Sequence, residues 1–169
     1  MVMVVMPVLQ VIGYQNSGKT TVMHHLLRAA SEAGLRAGTI KHHGHGGTPE
    51  YANSSKDSSL HFQSGAAIST VEGDGAFVVE SESGLADLEK LLTFYRTLPL
   101  HVILVEGYKK EHYSKVAVVR REEDITLLEA SNIKAVISAV PDIHTKLPVF
   151  KFNDPESYKT WFLKWIKEA

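Results

Sequence analysis

Residues 8–21 read Val8-Leu9-Gln10-Val11-Ile12-Gly13-Tyr14-Gln15-Asn16-Ser17-Gly18-Lys19-Thr20-Thr21, and the fold follows from how that stretch is read. An apolar run enters Gly13, and Gly18-Lys19-Thr20 opens a segment with helical spacing. This is G-x-x-x-x-G-K-[ST], the phosphate loop or Walker A motif, in the strand-to-helix context that gives it meaning. Gly13 lets the chain leave the strand sharply. Tyr14, Gln15, Asn16 and Ser17 carry backbone N–H groups that can turn inward as an anion nest. Gly18 keeps side-chain atoms away from a phosphate at the helix N-terminus, where unpaired N–H groups favour negative charge. Lys19 can reach β- and γ-phosphates, and the Thr20 hydroxyl can hold Mg²⁺. Gly13 to Thr21 is the candidate nucleotide-binding segment, with Lys19 also a catalytic candidate.

Outward from the loop, the apolar run places a buried strand at Pro7–Ile12, since proline suits only the start or edge of a strand. Val22, Met23, Leu26, Leu27, Ala30 and Ala33 recur at helical spacing from Lys19 to Ala33, and Gly34 supplies the stop. Arg36–Lys41 reads as a second strand, lying beside the phosphate loop and completing a βαβ unit. Residues 44–59 lack apolar periodicity and are too long for a plain connector, so they are functional or mobile. Ala66–Val71 and Ala76–Glu80 read as a hairpin around Gly73-Asp74-Gly75. Leu85–Leu98 is an amphipathic helix ended by Pro99, and His101–Val105 is a buried strand leading into Glu106. Lys115–Val119 and Ala135–Val140 are further strands. Asp154–Lys167 closes the chain as a helix, with Asp154 as N-cap and Pro155 at the first position. Its Trp161, Phe162, Trp165 and Ile166 form an apolar stripe for core packing, or alternatively for a dimer contact. The sum is an α/β three-layer sheet of the P-loop NTPase type, mostly parallel with one β-hairpin and helices on both faces, in a single domain over 1–169.

The chain has 169 residues, 44% hydrophobic and 22% charged, which suits one globular domain and disfavours global disorder. Its formal net charge of −1 and lack of a long basic run give no case for nucleic-acid or membrane binding. With no cysteine, disulfides and thiolate metal sites are excluded. The apolar start at Met1–Met6 has no charged flank or cleavage pattern, and no apolar run is long enough to span a bilayer, so a cytoplasmic protein is expected.

Three further groups carry candidate chemistry. Lys41, His42, His43 and His45 fall at the C-terminal end of a strand, the edge where open α/β sheets bind ligands. They suit phosphate, an anionic partner or a metal. Lys56-Asp57-Ser58 lies where many P-loop proteins place a switch touching the γ-phosphate or Mg²⁺, which makes Asp57 a metal and catalytic candidate. Val102-Ile103-Leu104-Val105-Glu106 has the Walker B pattern, with Glu106 as the acid that holds Mg²⁺ directly or through water. Lys109 follows as a phosphate or partner contact.

Together, Gly13–Thr20, Thr39-Ile40-Lys41-His42 through His45, Lys56-Asp57-Ser58 with His61 and Gly65-Ala66, and Val105-Glu106-Gly107-Tyr108-Lys109 resemble the molybdopterin-guanine dinucleotide biosynthesis protein B (MobB) family over nearly the whole chain. The resemblance implies a GTP-binding protein with weak GTPase activity that forms a homodimer. It would assist the guanylyltransferase that attaches GMP to molybdopterin, with molybdopterin itself as a further ligand to test. Ser55 stands where the family carries a glycine, and Leu60 where it tends to carry an arginine. No phosphate role is therefore carried over to Leu60, and slower catalysis is expected.

The residues themselves leave the base open. The Asn-Lys-x-Asp base-reading motif is absent, and the loop at Ser138-Ala139 is the candidate for reading a base through backbone groups. One alternative is a nickel or zinc metallochaperone GTPase using His42, His43 and His45. A small-molecule kinase is another, disfavoured because residues 42–95 contain no arginine for a phosphate lid. In the favoured mechanism Lys19 holds the triphosphate, Thr20 and Glu106 hold Mg²⁺, and Asp57 positions Mg²⁺ or the attacking water. Hydrolysis is expected to be slow, since neither an arginine finger nor a water-positioning glutamine is identifiable.

Overall fold

The computed structural model describes residues 6–43, 60–61, 63–82, 84–85 and 87–169. Contacts within the chain group it into two compact units, Met1–His42 with Leu92–Ala169, and His43–Leu91.

The first unit is built on a six-stranded sheet. Its strands are β1 (Val8–Ile12), β2 (Ala37–Lys41), β5 (Val102–Glu106), β6 (Ser114–Val119), β7 (Ile133–Ser138) and β8 (Val149–Lys151), in the spatial order β2-β5-β1-β6-β7-β8. Every pairing in it is parallel. The sequence reading put β2 beside the phosphate loop; within the sheet, β5 lies between β2 and β1. The burial patterns account for this: β5 is buried at every position, whereas Ala37, Thr39 and Lys41 of β2 are not. A strand buried at every position takes an interior place, and a strand with exposed positions takes the edge.

Helix α1 (Lys19–Glu32) and the C-terminal helix α3 (Pro155–Glu168) cover one face. Leu9, Val11, Leu104, Val116, Val118 and Ile137 meet Val22, Leu26, Tyr158 and Phe162 there. Trp161, Trp165 and Ile166 pack on the same core while partly buried, so the stripe of α3 serves the interior. The α1 helix ends as expected at Gly34: Leu35 N–H donates to Ala30 O and Gly34 N–H to Ser31 O, the paired bonds of a Schellman stop. Asp154 holds the N-cap position of α3 and Pro155 the first helical position, as predicted, but without a side-chain cap bond. The Asp154 carboxylate accepts the Ser157 hydroxyl instead.

On the opposite face, Ile12, Ala117, Val119 and Val136 pack with Leu127 of a 3-10 helix over Glu122–Glu129. Helix α2 is Leu88–Tyr95, shorter at both ends than the predicted 85–98, and Asp87 accepts the Lys90 N–H at its start. Tyr95 from its last turn donates its hydroxyl to Thr39 O at 2.8 Å. Helices therefore stand on both faces, as the α/β reading required.

The second unit carries β3 (Ile68–Gly73) and β4 (Ala76–Ser81), an antiparallel hairpin in a sheet of its own. Its turn is Asp74-Gly75, both at positive φ (51° and 76°), the conformation of a tight two-residue hairpin. Among the described residues, no helix is long and apolar enough to cross a membrane.

Tyr158 and His25 tie α3 to α1, with Tyr158 Oη 2.5 Å from His25 Nδ1. Burial, then repulsion from Asp154 and Glu156, pushes the phenol from 10.0 up to about 12. The folded state thus holds this proton more tightly than the unfolded chain. The stabilisation is complete below the unfolded value and is lost as pH rises through the folded one. Denaturation midpoints should fall between about pH 10 and 12, and Tyr158→Phe should lack that component.

Candidate functional site

The phosphate loop leaves β1 at Gly13 and enters α1 at Lys19. Asn16 and Gly18 both take positive φ, 60° and 95°, and between them Ser17 N–H donates back to Tyr14 O at 3.3 Å. Gly18 is required twice over. Its φ suits glycine, and a Cβ there would lie 2.5 Å from the Phe152 ring, which packs against the loop from the residue after β8. The Ser17 hydroxyl is buried, with no partner among the described residues. An unpaired buried hydroxyl just before a helix N-terminus suits an oxyanion. Tyr14, Gln15 and Asn16 line the exposed rim, and Thr20 and Thr21 lie exposed in the first turn of α1.

Lys19 donates to Tyr14 O at 2.6 Å. Burial lowers its pKa, while Glu106 opposes the shift, Lys41 adds to it, and Asp124 again opposes it. Thr20 Oγ1 lies 3.4 Å from both carboxylate oxygens of Glu106. Lys41 Nζ lies 3.5 Å from Glu106 Oε1, its side chain 66% exposed against 11% for Glu106. The pairing Lys41↔Glu106 across β2 and β5 brings these groups together, and β1 places Thr20 opposite them.

A hydroxyl and a carboxylate at one point are the hard oxygen donors that Mg²⁺ takes, the rest of its shell coming from water and phosphate. Thr20 and Glu106 therefore fit Mg²⁺. Among the described residues no group of three or more His, Asp or Glu converges in the manner of a protein-only metal cage.

Of the remaining predicted residues, His42 donates its N–H to Glu106 O, and its ring lies 4.4 Å from that of Tyr108. Lys109 Nζ lies 5.1 Å above the Tyr14 ring, so Lys109 does reach the loop. Asp57, Lys56, Ser58 and His45 lie outside the described residues. In the Ser138-Ala139 segment, predicted to read a base through backbone groups, the Ala139 N–H donates to Val119 O and Ser138 O accepts the Phe152 N–H.

Sequence reasoning missed Asp124. It is buried in the 3-10 helix and accepts the N–H groups of Arg120 and Arg121 at 2.9 and 3.0 Å. From there its charge bears on Lys19. The same helix contributes Thr126, whose hydroxyl is 3.0 Å from that of Tyr14. An acid among Glu122, Glu123 and Asp124 reads as surface until the helix is seen to dock beside the loop. Arg120 stacks its guanidinium 4.9 Å above Phe152, at the back of Gly18.

A parallel sheet with a glycine-lysine-threonine loop at the C-terminal end of a central strand, and a buried acid at the end of the next, defines an α/β protein of P-loop-like fold. The model of the family described as "Molybdopterin guanine dinucleotide synthesis protein B" matches residues 8–139. The chain is 40% identical over 152 residues to a Bacillus subtilis protein named probable molybdopterin-guanine dinucleotide biosynthesis adapter protein, covering 88% of this chain and 87% of that one. An Escherichia coli protein with the name molybdopterin-guanine dinucleotide biosynthesis adapter protein is 28% identical over 170 residues, with 96% and 94% covered. The crystal structure of B. subtilis MobB superposes with a TM-score of 0.78 at 37% identity, covering 94% of this chain and 96% of that one. A MobB homologue from Bacillus stearothermophilus gives 0.76 at 36% identity, over 96% and 99%. The chain belongs to the MobB family.

Proposed function

We propose that this chain is an adapter of molybdopterin-guanine dinucleotide biosynthesis that binds Mg²⁺·GTP at Gly13–Thr21 and acts beside the guanylyltransferase joining GMP to molybdopterin. The adapter role rests on the family and on the names of the B. subtilis and E. coli relatives. The observation that supports the nucleotide is the convergence of Lys19, Thr20 and Glu106 on one loop. Mg²⁺, when bound, would neutralise charge on β- and γ-phosphate oxygens. Lys19 would exchange its bond to Tyr14 O for the phosphates. Lys41, beside Glu106, and Lys109, over the Tyr14 ring, would add positive charge, with His42 the residue after Lys41. Asp57 would position Mg²⁺ or water for slow hydrolysis. A homodimer is supported by the hairpin: two strands alone are marginal in water, and Ile68, Phe77 and Val79 share one face while more than half exposed (56%, 51% and 52%). Molybdopterin is a further ligand to test, and the cytoplasm the expected compartment.

Calorimetric titration should show GTP binding more tightly than ATP by about tenfold or more, and equal affinities would remove the guanine assignment. Immobilised, GTP-loaded protein should retain a purified molybdopterin guanylyltransferase, and failure to do so would remove the partner. Glu106→Gln should blunt the Mg²⁺ dependence of GTP binding by about tenfold.

A further inference from the structure

Two polar side chains are fully buried side by side in the sheet. Gln10 of β1 and Lys115 of β6 are register partners, each with no exposed surface. An ammonium removed from water is penalised by several kcal/mol, and an apolar residue at either place would extend the core. The reason for both lies in the connection above them.

β5 and β6 run parallel on either side of β1, yet only residues 107–113 connect them. Parallel crossovers ordinarily need about a dozen residues or more, commonly a helix that satisfies its own backbone. This short crossing carries no helix: within it Glu111 N–H donates to Tyr108 O, Asn132 Nδ2 donates to His112 O from outside, and further donors come from the sheet below. Gln10 Nε2 donates to Gly107 O at 3.1 Å and to Tyr108 O at 2.7 Å. Lys115 Nζ donates to Tyr113 O at 3.0 Å and also to Glu111 O. Two buried donors thus hold four carbonyls of one segment, at both of its ends.

That segment is under tension where it starts. Gly107 and Tyr108 have φ of 94° and 54°, and the left-handed conformation costs a non-glycine residue about 1 to 2 kcal/mol. The conformation aims the chain so that Tyr108 meets His42 and Lys109 lies over Tyr14. Burial lowers the Lys115 pKa, with Glu111 opposing the shift.

We infer that Gln10 and Lys115 are positioning residues of the nucleotide site: they hold the crossing 107–113 so that Lys109 is delivered to the phosphate loop. The inference rests on the nucleotide reading above. Lys115→Met and Gln10→Met, each alone and combined with Lys109→Met, test it through two measurements. In nucleotide-free protein, amide hydrogen exchange across 107–113 should accelerate by about tenfold or more while β1 and β6 stay protected. Mg²⁺·GTP affinity should fall by about fivefold to tenfold in each single buried variant, with no further fall when Lys109 is already methionine. Unchanged exchange in the crossing would overturn the inference, as would losses that simply add to that of Lys109→Met. If Lys115→Met loses protection everywhere, Gln10→Met, close in volume and uncharged, decides. Should the wild type bind no GTP, the nucleotide reading and the delivery of Lys109 fall together, and exchange alone still shows whether the pair holds the crossing.

Discussion

Lys19→Ala is expected to weaken Mg²⁺·GTP binding by about a hundredfold or more, while the midpoint of thermal unfolding changes little. Lys19 is half-buried, and its ammonium is bonded to a carbonyl of the loop it guards, Tyr14 O. Removing it would delete the proposed charge-assisted contact to the phosphates, at a half-buried place where such a contact is stronger than at an open surface. The fold loses little, because the hydrogen bond it makes is exposed. Burial also lowers its pKa below 10.5, so the charged form gives way earlier than in an ordinary lysine. Binding should therefore weaken as pH rises into the range where free lysine is still protonated. Calorimetry across alkaline pH, with the alanine variant as baseline, checks both statements. Affinity unchanged in the variant would remove the nucleotide reading at its root.

Gly18→Ala is expected to disrupt both stability and binding, in contrast to the same change at Gly34. Both glycines have positive φ, 95° and 72°, so each substitution carries the left-handed strain of about 1 to 2 kcal/mol. They differ in what the new methyl meets. At Gly34 nothing lies within 4 Å, whereas at Gly18 the Phe152 ring is 2.5 Å away. Phe152 is itself held, its N–H bonded to Ser138 O at 2.7 Å and its ring beneath Arg120. Relief must come from displacing either the ring or the loop, adding about 1 to 3 kcal/mol. Denaturant unfolding should place Gly18→Ala below Gly34→Ala, and GTP affinity should fall by about tenfold or more only in the former. Equal behaviour of the two would mean that Phe152 yields freely and is no wall of the site.

These expectations draw on different depths of information. Lys19, Thr20 and Glu106 were legible because their constraints are local: a glycine pair at fixed spacing, or an acid ending an apolar run, carries its chemistry in a few consecutive residues. Asp124 and the 3-10 helix that holds it were not legible. Their spacing is neither 3.6 nor 2, and the run Glu122-Glu123-Asp124 resembles any solvated turn. β8 was missed for a related reason, since three residues between Pro148 and Phe152 cannot display a period. A signal for Gln10 did exist: a lone amide inside Val8-Leu9-Gln10-Val11-Ile12, a run that reads as buried on both faces, must find a partner.

The sequence by itself determined the phosphate loop, the acid at the end of Val102–Glu106, the hairpin turn and the apolar stripe of the last helix. Each is encoded by neighbours within a turn or two of chain. Only the tertiary structure decided that β5 lies between β1 and β2, which brings Lys41 to Glu106, and that Phe152 and Asp124 border the loop. It alone set Gln10 beside Lys115, partners separated by 105 positions in the chain. Strand order is settled by which strands must be buried on both faces, a competition among all the strands at once, and no short stretch of sequence records its outcome.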